Sequence, residues 1–523
     1  MDIMDTMDDN TCLLAVHTVH IVHTVHSNLR EQQCSIGDRL LQRCKRPRPA
    51  VIAKMPGAVI FLRSVFSLKH GYETVCAGME DRMKTRALTV MVSMGMVSMS
   101  MALGAAEEPA KMSIIGDWRI AVEAEGKRTE FTIEPVETVT VTAEKHGRPA
   151  VYDEKKPGYA RANKPRGVRA QECTARYMLI PESFVLRAGV DEQSQVFVRG
   201  KDYELASDWG TFGRLPDGAI GENQPVYCSY QYSLPRLDSI VLDAKGQMVL
   251  RRGVGHVANP VPPPLAEGER RLANVWLSGR MDKLGEAQLF PLLEQAYPEP
   301  PKQTPTVAER LLPKTVAKLR SGEPIRILAW GDSVTVGTFV PNPDTERWQM
   351  QFLARLRERF PKAQIEMLTE AWGGRNTSSY LNEKPGSPKN YQEKVLDLKP
   401  DLIVSEFVND SYMSEEQVME RYGKLLADFK GIGAEWIILT PHYVRPDWMG
   451  LDREKDIDED PRRYVKGLRI FAQQNNVALA DGSLRYGRLW RQGIPHSTLM
   501  LNAINHPNAF GMKLFADALM ELF

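Results

Sequence analysis

The sequence predicts two folded regions in series, an antiparallel all-β region followed by an α/β region with a parallel sheet. Two patterns support this division. Between residues 107 and about 300, short segments alternate apolar and polar residues with a period of two, as half-buried strands do. From about residue 304, short apolar strands alternate with amphipathic helices, which is the pattern of a doubly wound sheet. We therefore expect an all-β, sandwich-like region over 107–300 and an α/β domain over 301–523.

The first region contains several segments that favour strands. Strands are predicted over TVTVTAE (138–144), QVFVRG (195–200) and PVYCSYQYS (225–233). IVLDAKGQMVL (240–250) consists of two apolar runs joined by a Gly-containing turn, which indicates a hairpin. These elements favour an antiparallel sandwich. No chemical motif stands out among them, so the sequence does not disclose the role of this region.

The second region is predicted to contain five strands separated by helices. The strands are IRILAW (325–330), AQIEMLTEAW (363–372), DLIVSEFV (401–408), EWIILT (435–440) and VALAD (477–481). The helices are a segment broken near Pro313, then 347–360, 415–431, 461–475 and the C-terminal AFGMKLFADALMELF. In such a sheet the active site lies at the carboxyl ends of the strands.

The first hundred residues differ in character from the rest. All nine Trp lie at or beyond Trp118, whereas 11 of the 23 Met fall within the first 101 residues. From Met83 a short basic segment, an uncharged apolar stretch and the small residues 104–106 follow one another, as in a secretory signal peptide. A transmembrane anchor is the alternative interpretation. We expect a signal peptide over 83–106, a disordered or mis-called extension over 1–82, and a secreted or periplasmic protein.

Charge and cysteine content exclude some classes of protein. Lys and Arg total 67 against 66 Asp and Glu, so the net charge of +1 provides no global field for binding nucleic acid or an anionic membrane. We therefore expect neither nucleic-acid binding nor membrane insertion of the mature protein. Only Cys173 and Cys228 follow the predicted signal peptide. In an oxidising compartment they can form one disulfide, and two buried free thiols are the alternative.

Four polar motifs stand where the predicted strands end or in the loops that leave them. They are Gly331-Asp332-Ser333, Gly373-Gly374-Arg375-Asn376-Thr377, Val408-Asn409-Asp410 and Asn505-His506-Pro507. Each motif alone is weak, because short polar turns and single histidines are common in proteins. Four of them at equivalent ends of one parallel sheet converge on a single cleft.

These residue types suit acyl transfer through a serine. The Ser333 hydroxyl needs a nearby base to become a nucleophile, and His506 is the only histidine in the four motifs. The backbone N–H groups of Ser333 and Gly374 and the side-chain amide of Asn409 can stabilise the oxyanion. The sequence therefore predicts Ser333, Gly374, Asn409 and His506 as the catalytic group.

This constellation resembles the SGNH (GDSL-type) hydrolase superfamily, whose four blocks carry Ser, Gly, Asn and His in this order. The stretch Gly374-Arg375-Asn376 looks most like the rhamnogalacturonan acetylesterase branch. The resemblance covers about residues 324–523. It implies a flavodoxin-like three-layer α/β/α fold, ester hydrolysis, and no cofactor or metal.

One position departs from the family pattern. The last block is usually Asp-x-x-His, but the residue three before His506 is Ala503. Asn502, whose amide oxygen can accept the imidazole N–H, and Asp481, at the end of the fifth strand, are candidates for orienting His506, and a backbone carbonyl is a third. Arg375 is a further candidate for substrate contact. His442 suits either substrate contact or a structural role.

The sequence thus predicts a secreted serine esterase that removes acetyl or other short acyl groups from a polysaccharide. The substrate class rests on the resemblance, together with export and the appended β region. A lipase or thioesterase for long acyl chains is one alternative, which the polar loops 373–392 and 443–460 disfavour. A non-catalytic glycan-binding protein on a decayed hydrolase fold is the other. The missing Asp favours it, and the intact Ser, Gly, Asn and His disfavour it. The oligomeric state is not indicated.

Overall fold

The structure, a computed structural model, describes residues 108–523. The predicted extension (1–82) and signal peptide (83–106) lie outside these residues. Within 108–523, none of the helices combines the length and the hydropathy that a membrane span requires.

The first region contains only antiparallel strand pairs among its named strands, which confirms the predicted all-β class. The strands are β1 (Lys111–Gly116), β2 (Arg119–Ala124), β3 (Lys127–Thr132), β4 (Thr138–His146), β5 (Arg169–Ala170), β6 (Cys173–Thr174), β7 (Leu179–Arg187), β8 (Tyr203–Ala206), β9 (Thr211–Arg214), β10 (Val226–Ser233), β11 (Arg236–Leu242), β12 (Met248–Arg251), β13 (Arg270–Leu277) and β14 (Leu289–Pro291). They form the sheets β1-β2-β3, β4-β10-β7 and β12-β11-β13-β14, with β5-β6 and β8-β9 as separate hairpins.

Two apolar cores hold this region together. In one, Ile120 and Val122 of β2 pack with Ile240 of β11 and Val275 of β13, so the first and third sheets face each other as in a sandwich. The other core joins the β4-β10-β7 sheet to the two short hairpins. Cys173 and Cys228 are both buried free thiols, and Cys228 belongs to this second core.

Most of the predicted strands of this region are present, and one is wrong. Segments 138–144 and 225–233 belong to β4 and β10, and the hairpin over 240–250 is formed by β11 and β12. Segment 195–200 makes only isolated bridges. The Asp202 side chain takes the N–H of Val198 at 2.8 Å, and the Asp202 N–H binds the Val198 carbonyl at 2.8 Å. Because this turn uses those backbone groups, no ladder continues through the segment.

The second region is a five-stranded, wholly parallel sheet, as predicted. Its strands are β15 (Pro324–Gly331), β16 (Gln364–Ala371), β17 (Leu402–Glu406), β18 (Glu435–Leu439) and β19 (Ala478–Ala480). Their order in the sheet is β16-β15-β17-β18-β19. The order reverses at β15, so the crevice of this doubly wound sheet lies beyond the carboxyl ends of β15 and β17.

Helices cover both faces of the sheet. They are α1 (Val307–Leu311), α2 (Pro313–Ser321), α3 (Ser333–Val336), α4 (Pro343–Glu346), α5 (Trp348–Arg359), α6 (Thr377–Leu381), α7 (Glu415–Gly431), α8 (Arg463–Asn475), α9 (Gly482–Gly487) and α10 (Ala509–Glu521). Along β15, Ile327 packs with α5 and α10 while Leu328 packs with α7 and α8. Because successive strand residues point to opposite faces, the strands are apolar on both sides and lie between two helical layers.

The two regions share a buried seam. Asn274 of β13 is 1% exposed, and its Nδ2 donates to the Gly493 carbonyl of the α/β region at 2.7 Å. Its Oδ1 accepts from the Ser239 hydroxyl at 2.6 Å. Trp490 packs beside Trp276 of β13 in an apolar cluster that both regions form. The β region is therefore part of the same packed unit as the α/β region rather than a tethered module.

We predict that Asn274→Ala destabilises the protein. The change leaves the buried Gly493 carbonyl and Ser239 hydroxyl without their partner, which should lower the free energy of unfolding by about 1–3 kcal/mol. Urea denaturation measures the effect. Gln247→Ala, at an exposed turn position, is the control and should stay within about 0.5 kcal/mol of the parent. Equal stability of the two variants would contradict a structural role of Asn274 at the seam.

Candidate active site

Ser333 is the first residue of α3 and is separated from the end of β15 by a single residue, Asp332. Asp332 caps this helix by accepting the backbone N–H of Val334 at 3.0 Å. A Cβ at Gly331 would lie 2.1 Å from Thr335 Oγ1 and 2.4 Å from the Glu406 carbonyl oxygen, so only glycine fits there. The strand thus turns directly into the helix and places Ser333 at the carboxyl edge of the sheet.

The Asp332 carboxylate also joins two of the sequence motifs. Its Oδ2 accepts the backbone N–H of Asn409 at 2.9 Å, while the Val334 N–H binds its Oδ1. Asn409 lies in a 3₁₀ turn (Val408–Asp410) that follows β17. One buried carboxylate therefore fixes the serine turn against the asparagine turn.

Three carboxyl groups, Asp332, Glu406 and Asp410, are fully buried behind these turns. Burial raises the pKa of Asp332 to about 7. Burial, followed by the charge of Asp332, raises the pKa of Glu406 well above its usual range. Burial also raises the pKa of Asp410 to about 6, although Arg421 lies 3.6 Å away. These buried carboxyl groups therefore retain protons at a higher pH than they would in an unfolded chain.

The glycine loop after β16 lies against the serine. The Trp372 N–H binds the Gly331 carbonyl at 3.0 Å, and a Cβ built at Gly373 would lie 3.8 Å from Ser333 Cβ. Gly374 has φ of +72° and is exposed, a conformation that favours glycine and allows close approach of a ligand to the backbone.

Asn409 links the glycine loop to the rest of the site. Its side chain is largely buried, and Nδ2 donates to the Arg375 carbonyl at 3.1 Å. An amide nitrogen carries two hydrogens. The second makes no hydrogen bond among the contacts of residues 108–523, and so it is available to a substrate oxygen.

His506 lies just before α10 and reaches the loop that follows Ser333. Its ring stands edge-on to Phe339, with 5.2 Å between the ring centroids. The neighbouring Thr338 binds the Ser333 carbonyl through both its N–H, at 3.2 Å, and its hydroxyl, at 3.0 Å. His506 Nε2 is buried and has no hydrogen-bond partner in the described part of the chain. Burial lowers the pKa of His506 to about 4, so the ring is neutral at pH 7.

These contacts connect all four sequence motifs. Asp332 joins the serine and asparagine turns, Asn409 joins the glycine loop, and Phe339 joins the loop beyond Ser333 to His506. The arrangement places a hydroxyl, amide donors and a neutral imidazole around one end of the sheet.

Asn502 is next to His506, but its amide is turned differently from the sequence expectation. Asn502 Oδ1 accepts the backbone N–H groups of Ile504, Asn505 and His506 at 3.1, 2.9 and 3.1 Å. These three donors fix which end of the amide is oxygen. The group 2.7 Å from His506 Nδ1 is therefore Nδ2, which donates and does not accept.

Glu172, which the sequence analysis missed, also reaches His506. Its Oε1 lies 2.9 Å from Asn502 Nδ2 and 3.6 Å from His506 Nδ1. It belongs to the β region and is 330 residues from Asn502 along the chain. No local motif relates the two positions, so only the packing of the two regions reveals the contact.

Asp481 and His442 do not fill the roles that their positions suggested. The Asp481 carboxylate binds the Thr440 hydroxyl at 2.9 Å and Arg469 Nε at 2.8 Å, and it caps α9. It is thus committed to contacts away from His506. His442 is fully buried, and its Nε2 donates to the Asn505 carbonyl at 2.8 Å. This burial fits the structural alternative for His442 and leaves no face for a substrate.

Arg375 lies half-buried at the glycine loop, with its guanidinium 5.5 Å from the centre of the Trp372 ring. Its backbone carbonyl is the acceptor for Asn409. Because Arg375 is next to Gly374, its side chain remains a candidate for substrate contact.

Among the described residues, one group of three side chains has donor atoms close enough to share a metal ion. Glu144, His146 and Cys228, all in the β region, have such atoms within 4.8 Å of one another. The Glu144 carboxylate already accepts from the Tyr230 hydroxyl at 2.8 Å and the Arg166 N–H at 3.0 Å. Burial raises the pKa of Cys228, which disfavours the thiolate that binds metals. None of the three belongs to the predicted catalytic group.

We predict that the buried carboxyl groups make stability fall as the pH rises. A carboxyl whose pKa is raised in the folded state stabilises fully below its unfolded pKa, and this contribution is lost as the pH rises through the folded value. For Asp332 that window runs from about pH 4 to about pH 7. Glu406→Gln removes one of the acids and its repulsion of Asp332.

Urea denaturation at pH 5 and pH 8 tests this prediction. The free energy of unfolding of Glu406→Gln minus that of the parent should rise by about 1 kcal/mol or more from pH 5 to pH 8. The exposed Glu420→Gln is the matched control and should follow the parent at both pH values. Parallel pH dependence of Glu406→Gln and the parent would contradict the prediction.

Comparison with known proteins identifies the α/β region. Residues 329–514 match the model of the GDSL-like lipase/acylhydrolase family. No curated protein matches the chain. The similar solved structures include a mutant of an acetyl-xylooligosaccharide esterase from Geobacillus Stearmophilus, at 17% identity and a TM-score of 0.31, with 38% of this chain and 94% of that chain covered.

Two further structures show the same range of similarity. A two-domain esterase active on acetylated mannans has 16% identity and a TM-score of 0.32, with 40% of this chain and 51% of that chain covered. A member of the lipolytic G-D-S-L family from Veillonella parvula has 18% identity and a TM-score of 0.27, with 38% and 97% covered. The family match covers the serine, glycine, asparagine and histidine motifs together, and the α/β region of this chain is a GDSL-like lipase/acylhydrolase domain.

Proposed function

We propose that this protein is a secreted serine esterase that hydrolyses acetyl or other short acyl esters of a polysaccharide through an acyl-enzyme on Ser333. The observation that carries the proposal is the buried, unpartnered Nε2 of His506, whose ring contacts the loop leaving Ser333. When the ring proton is on Nδ1, the neutral Nε2 in that position can take the serine proton.

The proposed reaction has two halves. His506 Nε2 accepts the Ser333 hydroxyl proton as Oγ attacks the ester carbonyl, and the imidazolium then protonates the departing alcohol. Water, activated by the same nitrogen, attacks the acyl-enzyme and releases the acid and Ser333. A pKa of about 4 keeps His506 in its basic form over the whole neutral range.

The oxyanion of each half-reaction needs hydrogen-bond donors. The Ser333 N–H at the start of α3, the N–H of exposed Gly374 and the second amide hydrogen of Asn409 are the proposed donors. Each such donor typically contributes about 10²–10³ in rate. Asp332 holds the Asn409 backbone against the serine turn, so these donors are positioned before the substrate binds.

The surface of the domain favours a short acyl group. Its exposed large apolar side chains are Val336, Tyr412, Trp448, Leu484 and Phe510. Only two of these are aliphatic, whereas a groove for a long acyl chain needs a contiguous apolar lining. The loop after β18 carries exposed charged residues as well, including Asp452 and Arg453.

Aromatic side chains at the seam support a carbohydrate leaving group. Trp448 is 37% exposed, and its ring centre lies 6.1 Å from that of Tyr159 of the β region. The Arg445 guanidinium stacks 4.3 Å from the centre of the Trp209 ring, and the Arg445 N–H binds the Ile504 carbonyl in the His506 loop at 2.9 Å. Aromatic surfaces with polar neighbours suit a ligand that is apolar on one face and polar at its edge.

Export is part of the same proposal. The segment 83–106 has the composition of a signal peptide, and a polysaccharide substrate lies outside the cytoplasm. A non-catalytic glycan-binding protein on the same fold is the alternative from another class, and the activity measurements below separate the two.

We predict that Ser333→Ala abolishes esterase activity. Loss of the nucleophile should lower kcat for p-nitrophenyl acetate by at least about 10³-fold, with the fold intact because the side chain only loses its hydroxyl. The full chain and the variant are compared by initial rates and by thermal unfolding. Ser321→Ala, at the exposed end of α2, is the matched control and should retain full activity. Equal rates from the Ser333 variant and the parent would refute the serine mechanism.

We also predict a preference for acetylated polysaccharide. Acetate release from acetylated xylan, mannan and pectin should exceed the hydrolysis of p-nitrophenyl esters of eight or more carbons, because only two of the domain's exposed large apolar side chains are aliphatic. Faster hydrolysis of the long-chain esters would indicate a lipase or thioesterase instead. Glycan binding without any hydrolysis would indicate the non-catalytic alternative.

A further inference from the structure

A serine–histidine pair depends on which ring nitrogen carries the proton. The base must accept at Nε2, so neutral His506 must hold its proton on Nδ1, and that N–H needs an acceptor. An acidic acceptor also stabilises the imidazolium that forms when Ser333 is deprotonated. The identity of this acceptor is the question that the residue at position 503 leaves open.

The chain's own histidine motif does not supply the acid. Ala503 has φ of +60° and packs on the core of the β region that contains β4, β7 and β10. The position that carries Asp in Asp-x-x-His is thus an apolar contact between the two regions. Asn502 faces His506 Nδ1 with Nδ2, which cannot accept a proton from it.

Asn502 Nδ2 has three acceptors within hydrogen-bond distance and only two hydrogens to donate. It lies 2.7 Å from His506 Nδ1, 2.9 Å from Glu172 Oε1 and 3.0 Å from Asn505 Oδ1. When Nδ1 carries the ring proton, the two hydrogens of Nδ2 are left for the two oxygens. With Asn502 so engaged, Glu172 Oε1 is the nearest carboxylate oxygen to His506 Nδ1, at 3.6 Å. Catalytic hydrogen bonds are often long in unliganded enzymes and tighten when the substrate binds. A ring movement of about 0.8 Å would bring this one to a normal length.

Glu172 is held at the tip of a short hairpin. Strands β5 and β6 pair Ala170 with Cys173, which leaves a two-residue turn of Gln171 and Glu172. Gln171 takes the left-handed conformation, with φ of +58°, and its carbonyl accepts Arg169 Nε at 2.8 Å. Such a tight turn fixes the direction of its residues.

The hairpin is also fastened across the seam. Arg176, four residues beyond Glu172, donates to Asp208 of the β region at 2.7 Å and to Asp447 of the α/β region at 3.0 Å. Asp447 in turn binds Arg445, whose N–H contacts the carbonyl of Ile504 in the His506 loop. One chain of contacts therefore ties the Glu172 hairpin to the loop that carries His506.

Several groups determine the charge on Glu172. Burial raises the pKa of the carboxyl, and the hydrogen bonds from Asn502, from its own backbone N–H and from the Cys173 thiol oppose this, as does the charge of Lys164. Tyr159 of the β region interacts electrostatically with Glu172 and Cys173, and Arg445 of the α/β region interacts with Cys173. About a third of the side chain is accessible to solvent, while its Oε2 is buried and has no hydrogen-bond partner among the described residues.

We propose that Glu172 is the acidic positioning residue of His506: its carboxylate, brought from the β region, accepts the Nδ1–H of the base-competent tautomer and replaces the Asp that position 503 lacks. The inference rests on the proposed esterase function. It assigns the β region a part in catalysis, because the hydrolase domain is incomplete without this hairpin.

Glu172→Gln tests the charge without removing the shape. Gln keeps an oxygen for Asn502 Nδ2, so a purely structural role predicts unchanged kcat. The positioning role predicts a fall in kcat for p-nitrophenyl acetate of about 10²-fold or more, KM within about twofold, and little change in the thermal midpoint. Glu182→Gln, exposed on β7, is the matched control.

The second test moves the carboxylate from position 172 to position 502. Asn502→Asp keeps an oxygen for the three backbone N–H groups and puts the other carboxylate oxygen where Nδ2 lay, 2.7 Å from His506 Nδ1. In the Glu172→Gln/Asn502→Asp double variant this carboxylate should recover at least tenfold of the lost kcat. In the protein that retains Glu172, Asn502→Asp should be less favourable for kcat, because two carboxylates would then lie next to each other.

The outcomes separate the two proposals. Ser333→Ala decides the esterase function, whatever Glu172 does. With an active parent, a kcat of Glu172→Gln within threefold of the parent would overturn the positioning role. So would a loss of kcat matched by a large drop in the thermal midpoint, without recovery in the double variant. A selective loss of kcat with recovery in the double variant supports it.

Discussion

The buried carboxylate of Asp332 holds two turns of the sheet edge together. It accepts one N–H from the helix that begins at Ser333 and one from the turn that carries Asn409. Because the parallel sheet reverses its strand order between these elements, this single side chain sits at the point where a crevice must form. The serine, the glycine loop and the asparagine amide are all placed relative to it. The elevated pKa values of Asp332 and Glu406 are the electrostatic consequence of fixing backbone N–H groups with acids that water does not reach.

The second organising feature is the seam between the β region and the hydrolase fold. Asn274 binds the Gly493 carbonyl, Arg176 bridges to Asp447, and Ala503 packs on a β-region core. The Asn274 contact buries polar groups with defined partners, which fixes the relative position of two surfaces more strictly than apolar packing alone. The His506 loop lies in this seam. Its geometry is therefore set from both sides, by the hydrolase helices and by the hairpin of Glu172.

The sequence predicted the α/β elements well because their signals are local. Five apolar strands alternate with helices, and each of the four polar motifs follows a strand or precedes a helix, so sheet topology alone brings them together. The β region was predicted less completely. Segment 195–200 alternates like a strand, yet the Asp202 side chain and backbone capture the groups of Val198 that a ladder would use. The prediction that the Asn502 amide oxygen accepts from His506 was wrong for a similar reason, since three backbone N–H groups donate to that oxygen.

The sequence by itself determined the fold class, the serine, glycine, asparagine and histidine motifs, and the absence of an acid at position 503. These follow from hydrophobic periodicity and from residue type at strand ends, which are properties of short segments. Only the tertiary structure decided what surrounds His506 Nδ1. Asn502 faces it with a donor, His442 and Asp481 are engaged elsewhere, and Glu172 reaches it from the other region. No local pattern encodes that contact, because it arises from the packing of two surfaces formed by segments 330 residues apart.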